Sequence, residues 1–451
     1  MGIRFTPGLK AAGIDPSMIE KLVEVQKIPL NSAMKRREAT TEEKKEVEKL
    51  NTLLSGLDTS LNGLKTRYDF YKLKLDSSHP DIVDGTVAAG ALLGSYEMEV
   101  RAMARTEKEL AYGFPDKDET PVGFGYMLIE RDDGEEIEVE VEPYTTLQQL
   151  AEQINDAEAG VKAMVVNTKY YPDSYRLLVI SEKSGKEAKI QIDEDTTFLE
   201  FKEQVTGRNL DVLFEDVPVT DEDNILDELI DGVTLNIRRS EPGTRIQISV
   251  VHDLDATMEG IKTFVESYNA IAGFINGQFM KDPKTGGYGL LSGDSSLKHV
   301  MRQMQNAVVG LPKGGERFNS LAEIGITTNP KTGELMMNES KVRESLTENY
   351  DSVADLFIRT KDSVGVAEAL SQKVKNFRDP GFGAVKSRLR ALDRIIDSQD
   401  KEIERRERQL ESREAAIRRK FTALESTLAD LQGQGDFIKA KFGGGGSQGQ
   451  S

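Results

Sequence analysis

No cysteine occurs anywhere in the 451 residues, so disulfides, thiolate metal sites and cysteine nucleophiles are excluded. Histidine is almost as scarce. His79, His252 and His299 are scattered, without the paired spacing of a zinc site, and read as packing or solvent-facing side chains. No run of about eighteen apolar residues appears, which excludes a transmembrane helix and insertion into a membrane. Residues Met1 to Pro16 lack both a basic flank leading into an apolar core and a small-residue cleavage site. A conventional cleaved signal peptide is therefore not expected. Hydrophobic residues are few, 38%, and charged residues many, 30%, a balance that suits long solvated helices beside smaller packed units. The net charge of −18 argues against nucleic acid, which needs clustered Lys and Arg, and against an anionic membrane surface. A chain of this length is expected to form two to four domains.

What the sequence does have is clearest at its two ends. Val47, Leu50, Leu54, Leu57, Leu61, Leu64, Tyr68 and Tyr71 recur at alternating spacings of three and four. This is the narrow apolar seam of a coiled coil or bundle. Upstream, Ile19, Val23 and Leu30 share the register, but Pro29 and the polar stretch from Lys35 to Lys45 predict a break or fraying. Near the other end, Leu389, Ile396, Ile403, Leu410, Ile417, Leu424 and Leu431 recur at every seventh position. The companion positions start with Leu392 and then become Gln399, Arg406, Arg413 and Lys420. A long helix with a half-polar seam self-associates weakly and is expected to order fully only when a partner completes its apolar face. The tail from Gly443 to Ser451 reads as disordered.

Between the ends the period changes to two. Tyr126 to Glu142 predicts a hairpin turning at Asp132-Asp133-Gly134, with Ile137, Val139 and Val141 on one face and Glu136, Glu138, Glu140 and Glu142 on the other. Thr146 and Gln149 are placed as a capping box for a helix whose Leu147, Leu150 and Ile154 share a face. Further strands are predicted at Val161–Asn167, Tyr175–Ser181, Ala188–Ile192 and Val233–Arg238. Helices return with Ile261, Phe264, Val265, Tyr268, Ile271 and Ile275, then Leu297 to Val309. Ile324 to Met337 reads as a hairpin, and Asn338 caps the helix that carries Val342 and Leu346. The fold class is α+β: long terminal helices pair antiparallel as a leg, and β-rich head domains are inserted between them.

No catalytic, metal or cofactor site emerges. The alternating glutamates read as a solvated strand face without EF-hand spacing, and Asp221 with Asp223 as a turn. Gly123-Phe124-Gly125 and Gly381-Phe382-Gly383 are fragments of a dinucleotide motif and read as turns. Ser95 and Ser292 lack a nucleophile-elbow context.

Several motifs together resemble the flagellar filament-capping proteins, or hook-associated protein two. Gly13-Ile14-Asp15, Leu22-Val23 and Ile28-Pro29-Leu30 resemble that family's N-terminal segment, and Gly94-Ser95-Tyr96 before Glu97-Met98-Glu99-Val100 the strand that opens its head. Thr145-Thr146-Leu147 to Gln153-Ile154-Asn155, with Gly160-Val161 and Tyr175-Arg176-Leu177, is similar to a repeat shared by flagellins and hook-associated proteins. Three motifs separate the caps from those relatives: Asn224-Ile225-Leu226 through Leu235 with Pro242-Gly243-Thr244; Ile261-Lys262 to Tyr268-Asn269; and Leu321 to Ile326 with Gly333-Glu334-Leu335.

The resemblance implies a homo-oligomeric ring, a pentamer, at the filament tip, whose legs enter positions that flagellin is about to occupy. It implies export through the flagellar channel without a cleaved signal, with a chaperone holding the C-terminal helix beforehand. Leu424, Leu428 and Leu431 are the expected chaperone or intersubunit contacts. The expected layout is leg helices over 1–72, with 1–40 flexible, and a head domain over 73–120 plus 206–252. A second head domain spans 121–205, a helical domain with a hairpin 253–384, and the long helix 385–442. A flagellin or hook–filament junction protein, an adhesin using the head, and an extracellular hydrolase are the alternatives.

Overall fold

The computed structural model describes residues 16–130, 136–186, 190–194, 199–283, 286–309, 317–360 and 363–442. The Asp132-Asp133-Gly134 turn, Gly13-Ile14-Asp15, the predicted strand start at Ala188 and the tail from Gly443 lie outside them. The chain divides into two units, Met1–Lys65 with Gly260–Ser451, and Thr66–Glu259. Charge divides just as sharply. Thr66–Glu259 holds 19 Lys and Arg against 43 Asp and Glu, a net of −24, while the remainder holds 40 against 34, a net of +6.

In the first unit, α1 (Pro16–Asn62) is one continuous helix that carries Pro29 in its interior. The predicted break is absent. Residues 16–40, expected to be flexible, are helical. Proline removes one backbone donor, but Pro29 lies on the exposed side, and the charged stretch that follows is held from outside by ion pairs described below. Helix α4 (Leu254–Phe279) contributes its apolar positions to the core of this unit. Phe264, Tyr268, Ile271 and Ile275 are buried there, with α5 (Ser295–Val309), α6 (Glu339–Phe357) and α7 (Val366–Arg378). The predicted late hairpin forms as β16 (Ile326–Thr328) paired with β17 (Leu335–Met337). Asn269 of α4 clamps it, donating to the Leu335 carbonyl at 2.8 Å and accepting from the Leu335 N–H at 2.7 Å. Asn338 caps α6 by accepting from the Lys341 N–H at 3.1 Å. Last comes α8 (Ala384–Phe442), 59 residues long and so roughly 90 Å from end to end.

The second unit has two cores. One sheet orders β1 (Leu73–Ser77), β15 (Ile246–His252), β3 (Gly94–Ala102), β11 (Leu210–Phe214) and β12 (Val217–Asp221). A second orders β13 (Ile225–Ile230), β14 (Val233–Ile237) and β2 (Val83–Val87). Period two decides what faces inward. In β15, Ile246, Ile248 and Val250 are buried while Gln247 is exposed, and they join Met98, Val100, Val212 and Leu235 in one cluster.

The other core lies under β10 (Phe201–Val205), β4 (Lys108–Ala111), β8 (Tyr175–Ser181) and β7 (Val161–Asn167), with β6 (Glu136–Val141), β5 (Gly125–Glu130) and β9 (Gln191–Glu194) as a second sheet. Helix α3 (Leu147–Asp156) buries Leu147, Leu150 and Ile154 against it. Its capping box forms as expected: Gln149 N–H donates to Thr146 Oγ1, and Gln149 Oε1 accepts from Thr146 N–H at 3.0 Å. The four glutamates of β6 and its end are exposed, with Val139 and Val141 buried.

The domain boundary differs from expectation. β4 pairs with β8 and β10, so residues from about Glu107 onward belong to the inserted body rather than to 73–120. A four-residue strand is too short to show a period. The crossing point is the Arg105–Arg208 pair, which exchanges backbone hydrogen bonds of 2.8 and 3.1 Å. Next to it the buried Glu107 accepts from the Ile190 and Gly207 N–H groups.

Candidate assembly surfaces

The side-chain bonds between α1 and α8 establish the antiparallel pairing that the terminal seams predict. Lys44 pairs with Asp393 at 2.7 Å, Gln399 donates to Thr40 at 3.0 Å, and Arg37 pairs with Asp400 at 3.0 Å. Arg36 meets Glu402 at 3.4 Å and Arg413 donates to Gln26 at 2.6 Å. Positions fall along α1 as they rise along α8. Nearer the start of α8, Arg388 hydrogen-bonds Glu43 and forms an ion pair with Asp294 at 3.2 Å.

The leg has two different halves. From Glu46 onward, α1 also packs against α4 and α7. Gln278 of α4 donates to Glu46 at 3.1 Å, Lys49 lies over the Phe274 ring, Ser371 of α7 donates to Asp58 at 2.7 Å and Arg378 to Asn51. Accordingly Val47, Leu50, Leu54, Leu57, Leu61 and Leu64 are all fully buried. Before Lys44, the cross-helix side-chain bonds of α1 among the described residues go to α8 alone, and there only Leu30 and Ala33 of α1 are buried among the apolar side chains whose burial is described. Leu389, Ile396, Ile403, Leu410 and Ile417 are only half-buried, and Leu392, at the base, is buried. Tyr68 does not belong to the seam. Helix α1 ends at Asn62, and Tyr68 lies on a separate short helix α2 (Arg67–Phe70), exposed.

The polar seam positions are satisfied locally. Gln399 and Arg413 bond α1 as above, and Arg406 folds back on Glu402 of its own helix, with its Nε at 2.8 Å. That contact holds the Glu402 carboxyl below the usual carboxylate range, and the Asp393 hydrogen bond raises Lys44 above the usual lysine value.

Toward the end of α8 the heptad leucines lie beyond the described part of α1. The Gln26–Arg413 bond brings Pro16, where the described part of α1 begins, level with about position 423. Leu424 and Leu431 are exposed, as are Phe437 and Ile438, and Phe421, Glu425 and Leu428 are half-buried. Of the three expected contact residues, Leu424 and Leu431 are therefore exposed and Leu428 is half-buried. On α1, Leu22, Val25 and Ile28 are exposed at the corresponding end.

The remaining candidates fall into local roles. His79 sits 3.0 Å from the Ser78 hydroxyl, His252 packs edge-on to Tyr71, and His299 edge-on to Phe377. Asp221 accepts from the Asp223 N–H, and Asp223 from the Ile225 N–H, so the pair shapes a turn. Asp379 accepts from the Gly381 and Phe382 N–H groups in the turn before α8.

Family models match on both sides of the inserted body. Residues 12–107 match "Flagellar hook-associated protein 2 N-terminus", and residues 207–433, half of the chain, match "Flagellar hook-associated protein 2 C-terminus". The A-type flagellar hook-associated protein 2 of Pseudomonas aeruginosa is 26% identical over 454 residues, covering 93% of each chain. The flagellar hook-associated protein 2 of Escherichia coli K12 is 19% identical over 96% of each. In fold, the chain is similar to the crystal structure of the E. coli flagellar cap protein, with a TM-score of 0.60, 20% identity, and coverage of 77% of this chain and 99% of that one. The gap between the two matched segments coincides with the inserted body, and each matched segment reaches the junction from its own side. With its paired terminal helices, inserted head and three cap-type motifs in order, the chain belongs to the flagellar hook-associated protein 2 family, the flagellar cap proteins.

Proposed function

We propose that the protein is the structural cap at the distal tip of the bacterial flagellar filament, an extracellular homo-oligomer that holds exported flagellin and promotes its polymerisation. The observation that carries this reading is the two-part leg. Its base is locked into a four-helix packing. Its outer half is a two-helix strut whose α8 seam positions are half-buried, followed by exposed apolar residues at Leu424 and Leu431. Such a strut is built to be completed by something else, because half-buried seams gain stability only when further apolar surface covers them. The proposed partners are a neighbouring copy, flagellin in the lattice, and an export chaperone before secretion, with a ring of five copies as the proposed assembly.

Deletion of the gene tests the cap directly. The expected result is short or absent filaments with flagellin released into the medium, restored by the intact chain. Normal filaments without released flagellin would remove the proposal. Replacing Leu424 and Leu431 by Glu is expected to leave the circular dichroism of the purified protein unchanged while impairing export or capping.

A further inference from the structure

The two apolar cores of the unit Thr66–Glu259 have no residue in common among the described residues. Along the outgoing chain one ends at Ala104 and the other begins at Ala111. The bodies are joined only through residues 103–107 on the way out and 206–209 on the way back. Of residues 105–110 only Glu107 is buried, and of residues 206–209 only Gly207. Two bodies without a large apolar interface move relative to one another unless something else fixes them.

Hydrogen bonds do the fixing here. The Ala104 N–H donates to Asn224 Oδ1 at 2.8 Å, and Arg208 Nε donates to the Met103 carbonyl at 2.9 Å. The chain after β8 is tied to both connecting segments, with the Gly185 N–H donating to the Arg105 carbonyl at 3.2 Å and the Lys186 N–H to Asn209 Oδ1 at 2.6 Å. Asn209, Asn224 and Arg208 are half-buried, so water replaces their bonds at small cost. Glu107 is different, because it is only 5% exposed. Its two oxygens divide the work: Oε1 accepts from the Ile190 N–H at 3.2 Å, and Oε2 from the Gly207 N–H at 3.4 Å. One side chain at the start of β4 thereby holds both the chain that follows β8 and the returning segment. The fit at Gly207 is close, since a Cβ there would lie 2.5 Å from the Gly185 carbonyl oxygen.

We propose that this joint is a latched hinge and that Glu107 is its latch. With the carboxylate in place, the inserted body keeps one angle to the sheet that contains β3 and β11. Without it, two buried N–H groups lose their acceptor. A buried donor left unmet is costly, and the joint opens to let water reach it. The inserted body then swings about the Arg105–Arg208 backbone pair. The latch acts within one chain, so its test stands whether or not the protein caps a filament.

The chain has no cysteine, which lets two be placed at chosen positions. Thr220 on β12 and Lys162 on β7 are exposed, one on each body. The full-length chain with Thr220→Cys and Lys162→Cys is labelled with nitroxide and diluted into unlabelled chain. Double electron–electron resonance then reads the distance between the labels, and one narrow distance is expected. Adding Glu107→Gln keeps the size of the side chain but sets an NH2 group against a buried N–H. The expected result is a broad distribution. Hydrogen exchange of peptides that contain Ile190 or Gly207 is expected to accelerate by roughly 10- to 100-fold, with exchange in α3 and β14 unchanged. Gly207→Ala, which changes no charge, is expected to broaden the distance in the same way. A narrow, unshifted distance in either variant overturns the latch, as does a broad distance while Glu107 and Gly207 are intact. Faster exchange throughout α3 with Glu107→Gln overturns it too, because the residue would then be holding the inserted body's own fold.

Discussion

Leu57 and Leu410 have the same side chain on two helices of the same leg, yet truncating them is expected to have very different consequences. Leu57 is fully buried in the inner half of α1, which packs with α4 and α7, so Leu57→Ala loses the whole transfer free energy and leaves a cavity that close-packed neighbours fill only in part. Such substitutions lose about 2.7 to 5 kcal/mol. Leu410 is half-buried between two helices, so Leu410→Ala loses only part of the transfer contribution and opens no enclosed void, roughly 1 kcal/mol. Because a chain with several cores does not unfold in two states, the assay is native-state hydrogen exchange resolved by peptide. Leu57→Ala is expected to accelerate exchange by roughly 100-fold across the second half of α1, α4 and α7 together, about 3 kcal/mol at 1.4 kcal/mol per tenfold. Leu410→Ala is expected to accelerate it by roughly fivefold, confined to peptides of the outer leg. Equal effects at the two sites, or spread of the Leu410 effect into α4 and α7, would refute the division of the leg into a locked base and a loosely held strut.

Tyr268 is buried and its hydroxyl has no hydrogen-bond partner among the described residues. Burial accordingly raises its pKa. Tyr268→Phe is expected to be neutral or stabilising by up to about 1 kcal/mol, and a clear loss in thermal melting would show an unseen partner. Asn338→Ala removes the α6 cap and is expected to lose about 1 kcal/mol, visible as faster exchange in α6 and the β16–β17 hairpin. The outer leg should be pH-sensitive in both directions. Glu402 has a depressed folded-state pKa through Arg406, so its contribution is present above the ordinary carboxylate range and is lost as pH falls below it. Lys44, raised by Asp393, contributes fully below the ordinary lysine value and loses that contribution as pH rises through its folded-state pKa. Exchange of outer-leg peptides, corrected for the intrinsic pH dependence of amide exchange, should therefore be slowest between these limits; a flat profile would show that neither pair matters.

Local physics was readable from the residues. The Thr146–Gln149 box, the Asn338 cap, the strands at Val161–Asn167 and Tyr175–Ser181 and the acidic face of β6 all follow from side chains within a few positions of one another. What was hidden depends on partners distant in sequence. Pro29 and the run from Lys35 to Lys45 look like a break because the proline and the loss of the apolar seam outweigh weak local pairs such as Lys45–Glu42 and Lys44–Glu48. The favouring groups, Asp393, Asp400 and Glu402, lie more than 300 positions away. Strand β4 is not legible in the residues because four positions carry no period and its pairing is made by β8. Tyr68 continued the seam in sequence only: Asn62-Gly63 marks the end of the helix, and the unbroken spacing of apolar residues across it masks that signal.

The heptad in α8 carries the deeper lesson. An unbroken seven-residue repeat invites the expectation of one continuous buried seam, but a repeat position is buried only as far as apolar surface lies opposite it. From Gln399 onward the companion position is polar, and Ile403, Leu410 and Ile417 are half-buried against α1. Exposed ion pairs such as Arg36–Glu402 contribute at most about 1 kcal/mol each and do not replace apolar contact at those positions. Restoring the seam with Gln399→Leu, Arg406→Leu and Arg413→Ile is expected to tighten the pair and slow exchange in peptides of the outer leg. Unchanged exchange would mean that the polar seam residues are not what loosens the strut.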